Sequence, residues 1–336
     1  MKDYRFKVSF FNYKQSMAVY TQISEKDFSE FLGNYNFDEG ATFSGIKGGT
    51  SNSNYLVKIK DDKYILTIFE ERTNQDNLSY FFELMNHLNK NDIKCPQVLE
   101  DNNQNYVNSL KGKNAVITSF LNGHSIEHID PDHCSSLGKV VAKMHNASSL
   151  LNITRENELG FKKLPNVIDQ VLKLSSKIDS DLIKIIETEY SFLEKNMPDS
   201  LPNGIIHADL FPDNIFFEGK ELSGVIDFYF SCNDFYAYEI AICVNAWCFE
   251  PSNNEFNPTK ARLLLKSYNN VREFSIEEIE ALPMLTRASA LRYLLTRLID
   301  YFSYDDNDLI LKKDPAEYLT KLKFHQTVKR PSEYGL

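Results

Sequence analysis

The sequence contains no long hydrophobic run: no stretch of this 336-residue chain approaches 18 consecutive apolar residues. A transmembrane helix needs about 20 such residues, so none is expected. The first sixteen residues mix lysine, arginine and aromatic side chains, and they lack the apolar core of a secretory signal. We interpret residues 1–16 as an extension that precedes a domain starting at Met17.

Cysteines are few, and their spacing does not pair them. The chain has five, an odd number, and no Cys-x-x-Cys pair. This pattern favours buried free thiols and a cytoplasmic location.

Basic side chains are fewer than acidic ones. The chain has 37 basic and 47 acidic side chains, a formal net charge of −10. This balance argues against a nucleic-acid partner or an anionic membrane surface. It does not exclude ATP, because nucleotide sites use Mg²⁺, backbone N–H groups and local basic residues. Internal repeats and low-complexity tracts are also missing, and the length suggests about two domains or lobes.

One motif carries most of the chemistry. Asp209 follows His207 at a spacing of two, four residues separate Asp209 from Asn214, and Asp227 comes thirteen residues after Asn214. Phosphoryl transfer to a hydroxyl needs a carboxylate that orients the attacking group, and oxygen ligands for Mg²⁺. The motif therefore predicts phosphotransfer from ATP. A hydrolase that relies on metal alone would need more histidine ligands than this stretch contains.

The hydrophobic patterns predict a β-rich part followed by a helical part. Two strands within 53–69, joined by a tight turn at Asp61-Asp62, precede a helix at 76–90 and a strand ending at Phe120. Asp130 and Pro131 mark the start of a helix that runs to about Ser148. Short strands are expected at 205–207 and within 214–227, and helices at 165–196, 234–248, 258–271, 275–302 and 314–325. The fold class is α+β, a two-lobed protein-kinase-like fold with an N-lobe at 17–121 and a C-lobe at 122–336.

The N-lobe offers candidate nucleotide contacts. Gly48, Gly49, Thr50 and Ser51 form a loop between two strands that could cover the phosphates with backbone N–H groups. A simple hairpin with glycine at its tip is the alternative, since the loop is neither a Walker A motif nor a Gly-x-Gly-x-x-Gly. Nucleotide contacts are also expected at the hinge between the lobes, from Ser119 and Leu121.

The usual phosphate-binding lysine of the third strand is missing. Thr67 stands in its place. Lys58 on the preceding strand, or Arg72 just after this one, could act instead.

These residues resemble the aminoglycoside phosphotransferase/choline kinase superfamily and, within it, type II homoserine kinase. The superfamily resemblance rests on the 207–227 motif and on Asn233-Asp-Phe-Tyr-Ala-Tyr-Glu-Ile-Ala241. The narrower resemblance rests on segments spread over about 17–325: Met17-Ala-Val-Tyr-Thr, Ser53-Asn-Tyr-Leu, Asp227-Phe-Tyr-Phe-Ser-Cys-Asn-Asp, Ala241-Ile-Cys-Val-Asn-Ala-Trp-Cys-Phe-Glu and Arg287-Ala-Ser-Ala-Leu-Arg. The resemblance implies transfer of phosphate, dependent on ATP and Mg²⁺, to the side-chain hydroxyl of L-homoserine, on the route to threonine.

The resemblance also implies a role for each motif residue. Asp209 is the expected catalytic base, and Asn214 and Asp227 are the expected Mg²⁺ ligands. Three supporting roles are implied: His207 holds the catalytic loop, Asp234 caps a helix, and Glu239 braces the loop.

The acceptor's carboxylate requires an arginine. Arg287, Arg292 and Arg297 follow one another at intervals of five, so at most two can face one pocket of a helix. Arg292 is the first candidate because its neighbours are apolar, with Arg287 second and Tyr229 as a pocket wall. A half-buried arginine whose stem packs on the helix is the alternative for Arg292.

Two other functions remain open from the sequence. One is a related small-molecule kinase that acts on choline, ethanolamine, hydroxylysine or an aminoglycoside. The other is a non-catalytic nucleotide-binding protein, against which the intact Asp209, Asn214 and Asp227 argue. The sequence leaves the oligomeric state undetermined.

Overall fold

The computed structural model describes residues 21–37, 40–46, 52–70, 75–303 and 312–336. Its amino-terminal part is a five-stranded antiparallel sheet in the order β1-β2-β3-β5-β4. The strands are β1 (Thr42–Gly45), β2 (Asn52–Ile59), β3 (Asp62–Phe69), β4 (Asn108–Leu110) and β5 (Lys113–Ser119). The predicted turn between β2 and β3 is confirmed.

The two faces of this sheet have different partners. Helix α1 (Glu25–Leu32) packs on one face, where its Phe28 joins Val57 of β2 in a buried cluster. Because side chains of a strand alternate between faces, Asn54 and Lys58 of β2 lie on the opposite face. That face includes Phe69 of β3, whose ring lies 5.4 Å from the ring of Tyr229 in the second half of the chain.

Helix α2 (Leu78–Lys90) is inserted between β3 and β4, as predicted. It begins with apolar residues spaced three and four apart, and this spacing produces one buried face. Leu84 and Met85 of that face belong to the same core cluster as Val141 of the carboxyl-terminal part. The helix therefore joins the sheet to the rest of the protein.

The carboxyl-terminal part is mainly helical, which confirms the α+β kinase-like class. Its helices are α3 (Pro131–Ser148), α4 (Leu164–Lys173), α5 (Ser180–Asn196), α6 (Tyr236–Trp247), α7 (Pro258–Asn269), α8 (Ile276–Ser303) and α9 (Pro315–Thr327). Two antiparallel pairs lie among them: β6 (Asn203–Ile206) with β9 (Cys232–Phe235), and β7 (Ile215–Glu218) with β8 (Glu221–Val225).

The single helix predicted at 165–196 is wrong, because two helices occupy this range. Helix α4 ends at Lys173, and α5 begins at Ser180. Asp179 caps α5: its side chain accepts a hydrogen bond from the backbone N–H of Asp181 at 2.8 Å. The hydrophobic periodicity continues across the break, and the capping chemistry decides where the chain turns.

Helix α8 runs through the middle of the helical part, with α4, α5, α6 and α9 as neighbours. Most of its residues from 281 to 298 are buried, arginines included. Charged side chains on this helix must therefore find partners inside the protein.

Within the ranges that the structure describes, no helix has the length and apolar character needed to cross a bilayer. The five cysteines are free and buried. The extension at 1–16 lies outside the described residues, and the lobe boundary between residues 121 and 122 stays a prediction.

Candidate active site

The chain leaves β6 at Ile206 and turns through residues 207–214, which we call the Asp209 loop. Ala208 adopts φ +64°, a left-handed conformation that non-glycine residues rarely occupy. Such a conformation costs on the order of 1–3 kcal/mol and persists only when neighbouring contacts hold it. The loop must therefore be fixed from outside, and several side chains do this.

Glu239 of α6 fixes the amide side of the loop. Its carboxylate accepts the backbone N–H groups of His207 at 2.5 Å and of Ala208 at 2.8 Å. The side chain is fully buried, and His145 Nε2 lies 3.6 Å away from Glu239 Oε2. Trp247, at the end of the same helix, donates from Nε1 to the carbonyl of Leu210 at 2.7 Å. The Trp247 side chain is thus part of the core.

His207 uses both ring nitrogens within the loop. Nε2 lies 2.9 Å from the carbonyl oxygen of Ile226, and Nδ1 lies 3.3 Å from the backbone N–H of Asp209. The network assigns the proton to Nε2, so Nδ1 accepts. Burial lowers the pKa of His207, which keeps the ring neutral despite the nearby charges of Glu239 and Asp209. The geometry suits a residue that ties the Asp209 loop to β8.

Asp209 and Asn214 lie side by side in the loop. Asn214 Nδ2 donates to the backbone oxygen of Asp209 at 2.9 Å and to its carboxylate Oδ2 at 3.1 Å. Burial raises the pKa of Asp209, and the positive charge of Arg292 opposes that rise. Because the amide nitrogen of Asn214 is used by Asp209, its Oδ1 is the atom left to bind a cation.

Asp227 follows β8 and also has a left-handed backbone, with φ +64°. The backbone N–H of Ile226 donates to the carbonyl of Asn214 at 3.0 Å, so Asp227 and Asn214 come from adjacent chain segments. The Asp227 side chain is open to solvent on one side, while the protein encloses the rest of it. This burial and the charge of Asp209 raise the pKa of Asp227 to about 7.

The donor set fits Mg²⁺ bound to a nucleotide. In the part of the chain that the structure describes, no group of three or more His, Cys, Asp or Glu side chains could hold a metal by itself. Mg²⁺ usually takes one or two protein oxygens and obtains its other ligands from phosphates and water. The carboxylate of Asp227 and Oδ1 of Asn214 are the two protein oxygens that could serve as such ligands.

The three arginines of α8 have three different environments. Arg287 forms a bidentate pair with Glu189, through Nε at 2.6 Å and Nη2 at 2.8 Å. Arg297 donates to Glu317 at 2.5 Å. Arg292 is buried, and its Nη1 has no hydrogen-bond partner among the described residues. The second candidate, Arg287, is thus paired with an internal carboxylate, whereas Arg292 Nη1 has no acceptor among the described residues.

Arg292 also faces the Asp209 loop. Its guanidinium carbon lies 4.0 Å from the ring centroid of Tyr293, and its charge acts on Asp209. A buried guanidinium whose N–H groups lack a hydrogen-bonded anionic partner is costly unless a ligand supplies one. Because Arg292 lies next to Asp209, an anionic group of the acceptor could bind its guanidinium there.

Tyr229 packs between the two parts of the protein. Its ring lies 5.4 Å from Phe69 of β3 and 5.5 Å from Phe81 of α2, edge to face in both cases. These contacts place it at the junction of the lobes, two residues after Asp227. Its predicted role as a substrate contact stays a prediction.

The predicted helix cap at Asp234 is wrong. Asp234 lies in β9, and the residue before helix α6 is Phe235. The Asp234 carboxylate accepts from Asn157 Nδ2 at 2.6 Å and from the backbone N–H of Phe235 at 2.7 Å. The side chain therefore ties the loop after α3 to β9, a long-range contact that the sequence did not indicate.

Of the residues predicted to contact the nucleotide, the structure describes only Ser119 and Leu121 at the hinge. Gly48, Gly49, Thr50 and Ser51 lie outside the described residues. The Ser119 hydroxyl accepts from the backbone N–H of Gln97 at 2.9 Å. A Cβ on Gly224 would come within 2.9 Å of Leu121 Cδ1, so the hinge packs closely on β8.

On the face of β2 and β3 that carries Asn54 and Thr67, the lysines of the two strands lie at the far end from these residues. Thr67 donates instead to Asn54 Oδ1 at 2.8 Å. Lys58 pairs in register with Lys63, at the hinge end of the sheet. It lies four residues along β2 from Asn54, the register partner of Thr67, which is about 13 Å at the usual rise per residue. Lys58 is therefore too far to replace the missing lysine, and Arg72 lies outside the described residues.

No motif in the sequence points to Tyr293, which lies beside Asp209. Its hydroxyl lies 3.4 Å from Asp209 Oδ1, although 84 residues separate the two in the chain. A tyrosine on an apolar helix carries no local pattern that points to a distant loop. Only the packing of α8 against the Asp209 loop reveals the contact.

The sequence of this chain is similar to a family of phosphotransferases and to individual homoserine kinases. The sequence model of the phosphotransferase enzyme family matches residues 42–274. The homoserine kinase of Mesorhizobium japonicum is 43% identical over 323 residues, which cover 95% of this chain and 100% of that protein. The homoserine kinase of Rhizobium meliloti is 43% identical over 320 residues, covering 95% and 98%.

Solved structures share the fold at much lower identity. A microcompartment-associated aminopropanol kinase superposes with a TM-score of 0.66 at 15% identity, covering 90% of this chain and 94% of that one. The ethanolamine kinase of Plasmodium vivax gives a TM-score of 0.59 at 18% identity, covering 93% and 97%. Both structures agree with the fold predicted from the sequence.

Proposed function

Because the chain belongs to the phosphotransferase enzyme family, we propose that it is a homoserine kinase. It transfers the γ-phosphoryl group of ATP to the side-chain hydroxyl of L-homoserine and yields O-phospho-L-homoserine for threonine biosynthesis. The observation that carries the proposal is a chain 43% identical to homoserine kinases over 95% of its length that also brings Asp209, Asn214 and Asp227 to one site. The free, buried cysteines support a cytoplasmic location.

Asp209 acts as the catalytic base. Its carboxylate has about four acceptor positions, of which Asn214 and Tyr293 use two, so it can also accept the homoserine hydroxyl. By accepting that hydrogen bond it orients the nucleophile, and it takes the proton as the new P–O bond forms. The raised pKa of Asp209 makes it a better proton acceptor than an exposed carboxylate. Its neighbour His207 has no free ring nitrogen for this step.

Asn214 and Asp227 hold the metal that accompanies the nucleotide. When bound, Mg²⁺·ATP supplies the phosphoryl group and the positive charge that offsets the phosphate oxygens. The oxygen atoms of the two side chains come from adjacent segments that the Ile226–Asn214 hydrogen bond fixes. This rigid spacing keeps the metal site in place beside Asp209.

Arg292 binds the α-carboxylate of homoserine. Its Nη1 is buried and unpaired within the described ranges, and its charge acts on Asp209. A carboxylate that fills this position would satisfy the guanidinium and place the side-chain hydroxyl toward the base. The lack of an internal partner distinguishes Arg292 from Arg287 and Arg297.

The substrate assignment predicts a clear preference in a hydroxyl panel. The protein with Mg²⁺·ATP is expected to release ADP with L-homoserine at a kcat/KM far above that with choline, ethanolamine, hydroxylysine or an aminoglycoside. Only homoserine pairs a free carboxylate with a hydroxyl at the right distance. A coupled ADP-release assay measures the rates. A higher rate on any other hydroxyl compound would overturn the acceptor and leave the phosphotransferase fold unaffected.

Arg292→Lys is expected to raise the homoserine KM about ten- to hundredfold, with the ATP KM little changed. Lysine keeps the charge near Asp209 but cannot reproduce a bidentate fork. Loss of a charge-assisted hydrogen bond of this kind is worth about 1.5–3 kcal/mol. Steady-state kinetics with homoserine and ATP varied separately provide the measurement.

Homoserine amide is the matched control substrate for this variant. It lacks the carboxylate charge, so it should be a poor substrate for the wild type and lose little further with Arg292→Lys. Equal losses for the acid and the amide would show that Arg292 supports the fold instead.

A further inference from the structure

Tyr293 of α8 is buried, and its hydroxyl reaches into the Asp209 loop. The oxygen lies 3.1 Å from the carbonyl oxygen of Ala208 and 3.4 Å from Asp209 Oδ1. The phenol carries one proton, which it can share between these two acceptors. Both acceptors belong to the part of the loop that presents the carboxylate.

Three neighbours hold the Tyr293 ring. The rings of Phe211 and Tyr318 have their centroids 5.0 and 5.1 Å away. The guanidinium carbon of Arg292 lies 4.0 Å from the centroid. A ring packed in this way cannot turn its hydroxyl away from the loop without disturbing the core.

Tyr293 and Glu239 hold opposite sides of the same strained residue. Glu239 accepts the N–H of Ala208 at 2.8 Å, and Tyr293 donates to the carbonyl of Ala208 at 3.1 Å. Ala208 itself has φ +64°. The two peptide groups that flank Ala208 are thereby fixed, and the orientation of the second one sets the direction of the Asp209 side chain.

We propose that Tyr293 is a positioning residue for phosphoryl transfer: its hydroxyl fixes the carbonyl of Ala208 and Oδ1 of Asp209, and together with Asn214, which donates to Oδ2, it turns the remaining lone pairs of the carboxylate toward the acceptor hydroxyl. This inference rests on the proposed function, in which Asp209 is the base, and it adds a residue outside the motif. Tyr293 needs no contact with either substrate.

Tyr293→Phe tests the proposal, because it removes the hydroxyl and keeps the ring. We expect kcat to fall about tenfold or more, since small misplacements of a reacting group have large effects on rate. The KM values for homoserine and ATP should change less than about twofold, because no binding contact is lost.

Tyr318→Phe is the matched control. Tyr318 packs against Tyr293 in the same core, and its hydroxyl is buried without a hydrogen-bond partner among the described residues. Removing that hydroxyl should leave kcat unchanged. If both variants lose activity equally, the effect comes from the packing of α8, and the proposal is overturned.

A double-mutant cycle separates positioning from a general structural role. In the Asp209→Asn background, Tyr293→Phe should lose little further activity, because the hydroxyl acts through the missing carboxylate. Additive losses would overturn the proposal, as would a Tyr293→Phe variant with normal kcat or with a raised KM alone.

A crystal structure of Tyr293→Phe gives a result that does not depend on the substrate. We expect the Asp209 side chain to change rotamer or lose order in this variant. An unchanged, well-ordered Asp209 would overturn the inference even in a protein active on another hydroxyl compound. Failure of the wild type to phosphorylate homoserine would instead count against the proposed function.

Discussion

Asp209→Asn is expected to reduce the turnover number by about 10²–10⁴-fold, the range found when a positioned acid–base group is lost. Asparagine has nearly the same shape and can still accept the hydrogen bond that Asn214 Nδ2 now donates at 3.1 Å. The fold and the affinity for ATP should therefore remain. The amide cannot take the proton of the acceptor hydroxyl, so the loss falls on kcat. Single-turnover kinetics measure the rate of phosphoryl transfer, and a thermal melt measures the stability of the fold.

Asp213→Asn is the matched control on the same loop. Asp213 is exposed, and its carboxylate lies 3.2 Å from Lys313 Nζ. Exposed ion pairs of this kind contribute little, so the rate should change by less than about twofold. A near-normal rate for Asp209→Asn together with a large loss for Asp213→Asn would move the base to Asp213.

Asp227→Ala is expected to lower kcat/KM for Mg²⁺·ATP by at least about 100-fold, because even outer partners of metal ligands are worth 10–100-fold. The substitution removes a proposed metal ligand, and so it should weaken nucleotide binding as well as turnover. Titration of the nucleotide at several Mg²⁺ concentrations provides the measurement. A raised Mg²⁺ concentration should partly restore the activity of Asp227→Ala and leave the activity of Asp209→Asn unchanged. An unchanged affinity for Mg²⁺·ATP would exclude Asp227 as a ligand.

The pKa of Asp227 gives this site a pH dependence. Burial and the charge of Asp209 raise it to about 7, so the carboxyl group is protonated below that pH and ionised above it. A metal binds the ionised form and must displace the proton. The affinity for Mg²⁺·ATP is thus expected to weaken as the pH falls below about 7. Asp227→Ala should lack this dependence, and a wild-type affinity that stays constant from pH 8 to 6 would contradict the assignment.

The sequence by itself determined the local features of this protein. Strands β2 and β3, helix α2 and the start of α3 at Asp130 followed from hydrophobic spacing and capping residues, which act over a few positions. The motif from His207 to Asp227 could be predicted for the same reason, since its residues come from one loop and the next strand. Its spacing indicated the chemistry before any contact was known.

Tertiary structure decided what depends on residues far apart in the chain. It separates Arg292, which the sequence already ranked first, from Arg287 and Arg297, because only the packing shows that Glu189 pairs with Arg287 and Glu317 with Arg297. It shows that Asp234, predicted to cap a helix, instead accepts a hydrogen bond from Asn157, which lies in the loop after α3.

Tyr293 and Lys58 are two further residues whose positions only the tertiary structure shows. Tyr293 gained a role because helix α8 packs on the Asp209 loop, and Lys58 lost one because the strand register places it at the hinge end of the sheet. Register and helix packing are set by the summed burial of many side chains. A local pattern cannot show the summed burial, so the sequence indicated the reaction, while the fold determined which distant side chains lie beside Asp209.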